Sequence, residues 1–452
     1  MTPAVYRTLV VANTAEAFLS LIQRYSMAAD RERRLWAEHR LGDRALLWDG
    51  DGKVVITSLP AAHCHYLTSR LSYRHILNLY PVVPSPSLCT DILHDARLFA
   101  KIREVLGGGA EVRLLSYVAS DELYPLIHAL EASGVRLCLV ETPRLAGVMA
   151  ARRFDTKSGF RAMCSEWATR CRSLRLPAGE VCFSYEEAAC AAASFLAAGR
   201  PCVCKADRGE SGVGLVWLDP SSSKPDTDAI EQRLKGEPAF GDDPIVVEAV
   251  IPPPREATPG LASPSIEAYV SPSREVSITY TCLQLFDSTS SFSGVLIDHR
   301  RLGSRVLEEM KTVATFIGSE LAGLGYVGHF DLDFVLDPCG TLYVVEGNPR
   351  RTGGTHVHEA AGFLVGGQYQ NEVAVMSRDS VRITSDLVEL DALLESATGT
   401  LFPLGGEPRG VVPTIVSDLG DGVMGYKVIA ANGDDAARLE RAFLKAVRPT
   451  GV

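Results

Sequence analysis

Among its 11 cysteines the chain has no Cys-x-x-Cys pair and no regular spacing, which argues against a zinc ribbon, a dithiol redox motif and a disulfide framework. Cys202 and Cys204, two apart in an apolar run, read as reduced core cysteines. His63 and His65 flank Cys64, but no acidic or cysteine partner lies near them in sequence, so little speaks for a metal there. No apolar run approaches the ~18 residues of a membrane span. No basic segment followed by an apolar core opens the chain, and a cytoplasmic protein with no membrane partner is expected. Positive charge is scarce: the formal net charge is -10, and the one basic cluster, Arg31-Glu32-Arg33-Arg34, is broken by a glutamate. That balance excludes a nucleic-acid partner, whose binding is driven by Lys and Arg displacing counterions.

Several chemical signatures are missing as well. No Gly-Lys-Ser/Thr completes a Walker loop. Gly107-Gly108-Gly109 precedes a strand instead of following one, so it reads as a loop that ends a helix and not as a dinucleotide fingerprint. There is no Gly-x-Ser-x-Gly elbow and no cysteine with an evident histidine partner, so chemistry through a nucleophilic side chain is not expected.

What remains is a globular composition, 46% hydrophobic and 22% charged, in a chain of 452 residues, about three average domains long. Residues 1–150 alternate apolar runs with amphipathic stretches: "TLVVAN" and "ALLWDGDGKVVIT" read as strands, and "VRLLSYV", "DELYPLIHALEASG" and "VRLCLVE" as strand, helix, strand. Asp121 is expected to cap that helix and Gly134 to close it. The unalternating "LCLV" suits a strand of a mostly parallel sheet. Residues 151–255 begin with a helix near "FDTKSGF", with Asp155 as its expected cap, and continue through a helix closed by Gly199 into the strand "PIVVEAV". Residues 256–370 hold further strands, a long amphipathic helix and an acidic strand pair, and residues 371–452 read as a small α+β appendage.

The acidic pair "DLDFVLDPCGTLYVVEGNPRR" carries the most chemistry. Strand side chains alternate faces, so Asp331 and Asp333 share one face and Glu346 and Asn348 another. If the Asp-Pro-Cys-Gly turn makes those faces coincide, Asp333, Glu346 and Asn348 converge. A few hard oxygen ligands of this kind suit Mg²⁺ that keeps waters and is shared with a substrate's phosphates. Structural ion pairs with Arg350 or Arg351 are the alternative. The stretch "CVCKADRGESGVGLVWL" sets Lys205 in an apolar strand before a glycine-rich loop, Glu210-Ser211-Gly212-Val213-Gly214, and Lys157 lies earlier at a helix start. A lysine beside such a loop can reach phosphates while backbone N–H groups cradle them; a plain hairpin turn is the alternative.

The order of these elements resembles the ATP-grasp superfamily over roughly residues 150–370, through Lys157, Lys205 with its loop, "VVEAVI", and Asp333 with Glu346-Gly347-Asn348-Pro349-Arg350, in a wording close to the D-alanine–D-alanine-ligase-like pattern. The resemblance implies an α/β protein: an ATP-grasp fold with an N-terminal Rossmann-like pre-ATP-grasp domain (1–150), two ATP-grasp lobes (151–255 and 256–370) and a small C-terminal α+β domain (371–452). It implies ATP and Mg²⁺ as cofactors. Lys157 and Lys205 would contact phosphates, the 210–214 loop would cover them, and Glu248 would take the adenine amino group, with Ala249, Val250 and Ile251 as the hinge. Asp333, Glu346 and Asn348 would hold Mg²⁺, and Glu256, or else Glu267, would take the ribose. Asp331 stands where some relatives have an arginine, so Arg350 or Arg351 would neutralise the acyl phosphate.

"EGNPRRTGGTHVHEAAG" is most similar to the peptide ligases of pheganomycin-type biosynthesis in actinomycetes. That implies ADP-forming ligation of a small-molecule carboxylate to a peptide amine in antibiotic biosynthesis, and a homodimer; the alternatives are another ATP-grasp enzyme, an amino-acid ligase on small amines or a carboxylase, or a non-catalytic nucleotide-binding module. The amine would bind near Arg301, Thr352, Gly353 and Gly354, and His356 or His358 would help to deprotonate it.

Overall fold

The computed structural model describes residues 6–209, 212–254, 262–287, 291–384 and 387–448. The first sheet is wholly parallel. Its strands β1 (Thr8–Val11), β2 (Lys53–Ile56), β3 (Ile76–Leu79), β4 (Glu111–Ser116) and β5 (Arg136–Leu139) run in the order β3-β2-β1-β4-β5. Every residue of β1 is buried, as a central strand covered on both faces requires.

The second sheet is antiparallel: β6 (Gly179–Cys182), β7 (Cys202–Ala206), β8 (Leu215–Leu218) and β9 (Ile245–Ala249), ordered β6-β9-β7-β8. The helix Tyr185–Ala197 covers it with a face of alanines, whose small side chains let helix and sheet approach closely. Gly199, with φ +68°, ends that helix as expected.

The third sheet joins β10 (Pro264–Val270), β11 (Val276–Phe286), β12 (Phe292–Ile297), β13 (Gly328–Leu336), β14 (Leu342–Asn348), β15 (Ala374–Arg382), β16 (Gly410–Ile415) and β17 (Val423–Ala430). Their order is β14-β13-β10-β11-β12-β15-β17-β16. The expected boundary at residue 370 therefore falls inside one sheet, because β12 pairs with β15 through Leu296↔Met376 and Ile297↔Val375. Helix Lys157–Trp167 likewise packs into the core of this third sheet and not the second, inserting Phe160, Met163, Cys164 and Trp167.

Three local expectations are corrected. "GDRALL" is a 3-10 helix and only Lys53–Ile56 of that stretch is a strand, since Gly50 and Gly52 take positive φ between them. Ser120, not Asp121, accepts the Leu123 N–H, at 3.3 Å, while Asp121 pairs with Arg152. Thr156, not Asp155, caps the helix after it, accepting the Gly159 N–H at 3.1 Å. Gly134 closes its helix at φ +96°. All 11 cysteines are free thiols, and among the described residues no helix is long and apolar enough to cross a membrane.

Candidate active site

A cleft of about 540 Å³ lies between the second and third sheets. Its acidic wall is the β13–β14 hairpin, whose register sets Asp333 opposite Glu346 and Asp331 opposite Asn348. The two faces coincide. Gln284 donates to Asp333 Oδ1 at 2.7 Å, Ser265 to Asp331 Oδ2 at 2.9 Å, and the Asn348 amide to Asp331 Oδ1 at 2.8 Å. Burial pushes the Asp331 carboxyl up to about 7. Burial, with the charges of Asp331 and Glu346, pushes Asp333 well above the usual carboxylate range. Burial acts the same way on Glu346, but the ammonium of Lys157 outweighs it and holds that carboxyl low. Carboxylates gathered this closely in a dry wall are unfavourable without a cation. Among the described residues no group of three or more His, Cys, Asp or Glu side chains closes into a metal cage. Two carboxylates and an amide fit an ion that is completed by waters and phosphates.

The cationic wall combines the start of the helix Lys157–Trp167 with β7 of the second sheet. Lys157, the first residue of its helix, is ion-paired with Glu346 across the cleft. Lys205 on β7 lies 2.6 Å from Glu248 Oε2 and donates to the Val345 carbonyl at 3.3 Å. The other Glu248 oxygen accepts from Arg161 at 2.8 Å. Both oxygens of Glu248 thus meet cations, and Glu248 and the backbone of Ala249, Val250 and Ile251 line the cleft. Gly209 and Gly212 line the cleft as well. Gly214, at φ +82°, ties the loop to β7 by accepting the Ala206 N–H at 2.8 Å, and Val213 packs against the core of the second sheet. Glu210, Ser211 and Glu256 lie outside the described residues.

Arg350 faces the cleft, donating to Asn348 Oδ1 at 2.9 Å with its guanidinium 5.2 Å from the Phe18 ring. Arg351 turns the other way and is corrected as a phosphate ligand. It is 2% exposed, forms ion pairs with Glu141 at 2.6 Å and Glu359 at 2.9 Å, and stacks on Trp48. Glu267 is corrected too: fully buried, it accepts from Thr355, Tyr280 and Thr352 and contacts His329 at 3.0 Å, away from any ribose. Thr352, Gly353 and Gly354 line the cleft. Arg301 does not, because Asp434 holds it. His356 is fully buried and His358 bonds to the Tyr369 hydroxyl at 2.8 Å, so neither reaches an amine in the cleft.

Sequence reasoning missed Arg161, Gln284 and Trp217, all of which shape the site. Gln284 had a signal: it is a polar residue inside "TCLQLF", on the face shared with Tyr280 and Cys282. Arg161 had none, since its partner lies in another element.

Neither protein-family models nor curated proteins give a match to this chain. Solved structures do. Biotin carboxylase from Campylobacter jejuni in a β,γ-ATP complex superposes with a TM-score of 0.58 at 13% identity, over 98% of this chain and 91% of that one. The chain has the ATP-grasp fold. The biotin carboxylase domain dimer of Hydrogenobacter thermophilus 2-oxoglutarate carboxylase, with MgADP and bicarbonate, gives 0.56 at 13% identity over 98% and 90%. N5-carboxyaminoimidazole ribonucleotide synthetase from Thermus thermophilus gives 0.52 at 12% identity over 98% and 99%. The likeness of ATP-grasp enzymes to this chain spans all three of its sheets.

Proposed function

We propose that the chain is an ATP-dependent, ADP-forming ligase that activates a carboxylate as an acyl phosphate and passes it to an amine. The observation that carries the proposal is the pairing of walls: Lys157 and Lys205 on one side, Asp333, Glu346 and Asn348 on the other, and Arg350 at the junction of one cleft. Asp333, Glu346 and Asn348 would hold Mg²⁺, which when bound offsets charge on the transferring phosphoryl group. Lys205 and Lys157 leave their carboxylate partners for nucleotide phosphates, and the glycine-rich loop brings backbone N–H groups over them. The purine meets the backbone of Ala249 to Ile251. Arg350, held by Asn348 and the Phe18 face, stabilises the charge that develops as the amine attacks the acyl carbon and phosphate departs.

Within this chemistry we infer a peptide ligase of the pheganomycin type, supported by "EGNPRRTGGTHVHEAAG" and by the place of Thr352, Gly353 and Gly354 in the lining of the cleft. Antibiotic biosynthesis, a cytoplasmic setting and a homodimer belong to the same reading. A second reading takes bicarbonate as the acid, as the bicarbonate-bound neighbour suggests. Incubation with ATP and Mg²⁺ across a library of carboxylic acids, bicarbonate, amino acids and peptides tests both. ADP release that needs an acid and an amine supports ligation; release that needs only bicarbonate and an amine supports the second reading, and AMP with pyrophosphate rules out both.

A further inference from the structure

The Asp331 carboxylate lines the cleft, yet the proposed chemistry gives it no role. It stands on β13 directly opposite Asn348 on β14 and is 6% exposed. Both of its oxygens are engaged. Oδ1 accepts from Asn348 Nδ2 at 2.8 Å, and Oδ2 accepts from the Ser265 hydroxyl at 2.9 Å. Ser265 is itself buried, on β10, which pairs with β13 on the side away from β14. The carboxylate is therefore held between its two neighbouring strands, with one oxygen committed to each.

A side-chain amide has two unlike ends of nearly the same shape, one that only donates and one that only accepts. At Asn348 the neighbours decide which end points where. Arg350 donates to Asn348 Oδ1 at 2.9 Å, and a guanidinium offers no acceptor, so a nitrogen in that place would meet another N–H. On the opposite side a carboxylate accepts, so an oxygen turned to Asp331 would meet a second oxygen. With its nitrogen taken by Asp331, Asn348 presents its oxygen on the side of Arg350, and that oxygen has two lone pairs. Arg350 uses one and the other is left for a cation. We propose that Asp331 is a positioning residue: resting on Ser265, it takes the Asn348 amide N–H and so keeps the Asn348 oxygen turned to Mg²⁺ and to Arg350. This rests on the Mg²⁺ reading of the β13–β14 hairpin and adds to it the residue that presets one of the ligands. Groups that orient a metal ligand in this way change metal affinity by about 10- to 100-fold.

The test titrates the full chain with ADP by calorimetry, once in Mg²⁺ and once in EDTA, and reads the gain in affinity that Mg²⁺ gives. Asp331→Asn and Asp331→Leu both remove the charge at similar volume. Only asparagine keeps an oxygen for Asn348, with its own amide turned to the Ser265 hydroxyl, which accepts as well as donates. Asp331→Asn is expected to keep the gain within about tenfold of native, and Asp331→Leu to fall at least about tenfold below Asp331→Asn, with ADP binding in EDTA unchanged in both. Equal gains in the two variants would show that Asp331 acts by its charge and overturn the proposal. If Asp331→Leu does not fold, Asp331→Asn decides alone: a gain kept within about tenfold supports the proposal and a larger loss in the folded variant overturns it. A native chain whose ADP affinity gains nothing from Mg²⁺ overturns the Mg²⁺ reading instead.

Discussion

Glu346 is where the two walls of the cleft meet, ion-paired with Lys157 and opposite Asp333. Glu346→Gln keeps the shape and removes the charge that both a lysine and a cation need. ADP formation is expected to fall more than about 100-fold, ~3 kcal/mol of barrier, with an unchanged circular dichroism spectrum; full activity in Mg²⁺ would remove Glu346 from the metal site. Lys205→Met should raise the ATP dissociation constant at least about tenfold, ~1.4 kcal/mol, measured by calorimetry against an exposed lysine such as Lys311 as control. His329 offers a test of stability. Burial and Arg351 push its pKa down, but Glu267 at 3.0 Å and Glu141 at 3.4 Å outweigh them and raise it from the ordinary 6.5 to about 9. A raised pKa stabilises the fold fully below the unfolded value and loses that contribution as pH climbs through the folded one. Melting temperature should therefore fall between about pH 7 and pH 10, by up to ~3 kcal/mol of stability, and fall less in His329→Gln. Parallel pH profiles would contradict the assignment. These polar residues differ in how far the sequence reveals them. Lys205, Asp333 and Glu346 stand out because each interrupts an apolar strand, where a charge needs a reason. Glu267 interrupts one too, yet its reason is Thr355 and His329, partners that sequence spacing does not announce.

Among elements, the β13–β14 hairpin is the one on which the site depends. Gly347 lies between Glu346 and Asn348, and a Cβ there would come within 2.8 Å of the Phe160 ring and closer still to the Phe154 ring, so glycine lets the helices Leu145–Phe154 and Lys157–Trp167 approach the strand. That close approach carries Lys157 to Glu346. Gly347→Ala is expected to cost about 1–3 kcal/mol by overpacking and to weaken nucleotide binding, read by urea unfolding and by calorimetry; an unchanged midpoint would show that the packing there is loose. The hairpin was legible because a Pro-Cys-Gly turn separates two apolar runs of alternating polarity. "ALLWDGDGKVVIT" misleads for the opposite reason: its apolar residues are buried, but Ala45, Leu46 and Leu47 sit in a 3-10 turn packed between sheets. Burial alone does not fix the period.

At the scale of the whole molecule, three sheets supply three duties. The second sheet brings Lys205 and Glu248, the third the acidic hairpin and Arg350, and the segment following β1 brings Phe18 against Arg350. The parallel first sheet was readable from its unalternating apolar strands. The joining of β15 to β12 was not, because strand order across a sheet depends on pairings between distant segments. In the proposed mechanism a carboxylate oxygen passes to phosphate before the amine attacks. Turnover of a productive acid and amine, with ¹⁸O in the acid's carboxylate, is followed by ³¹P NMR. One ¹⁸O is expected in inorganic phosphate and none in nucleotide; ¹⁸O in AMP would contradict the acyl phosphate.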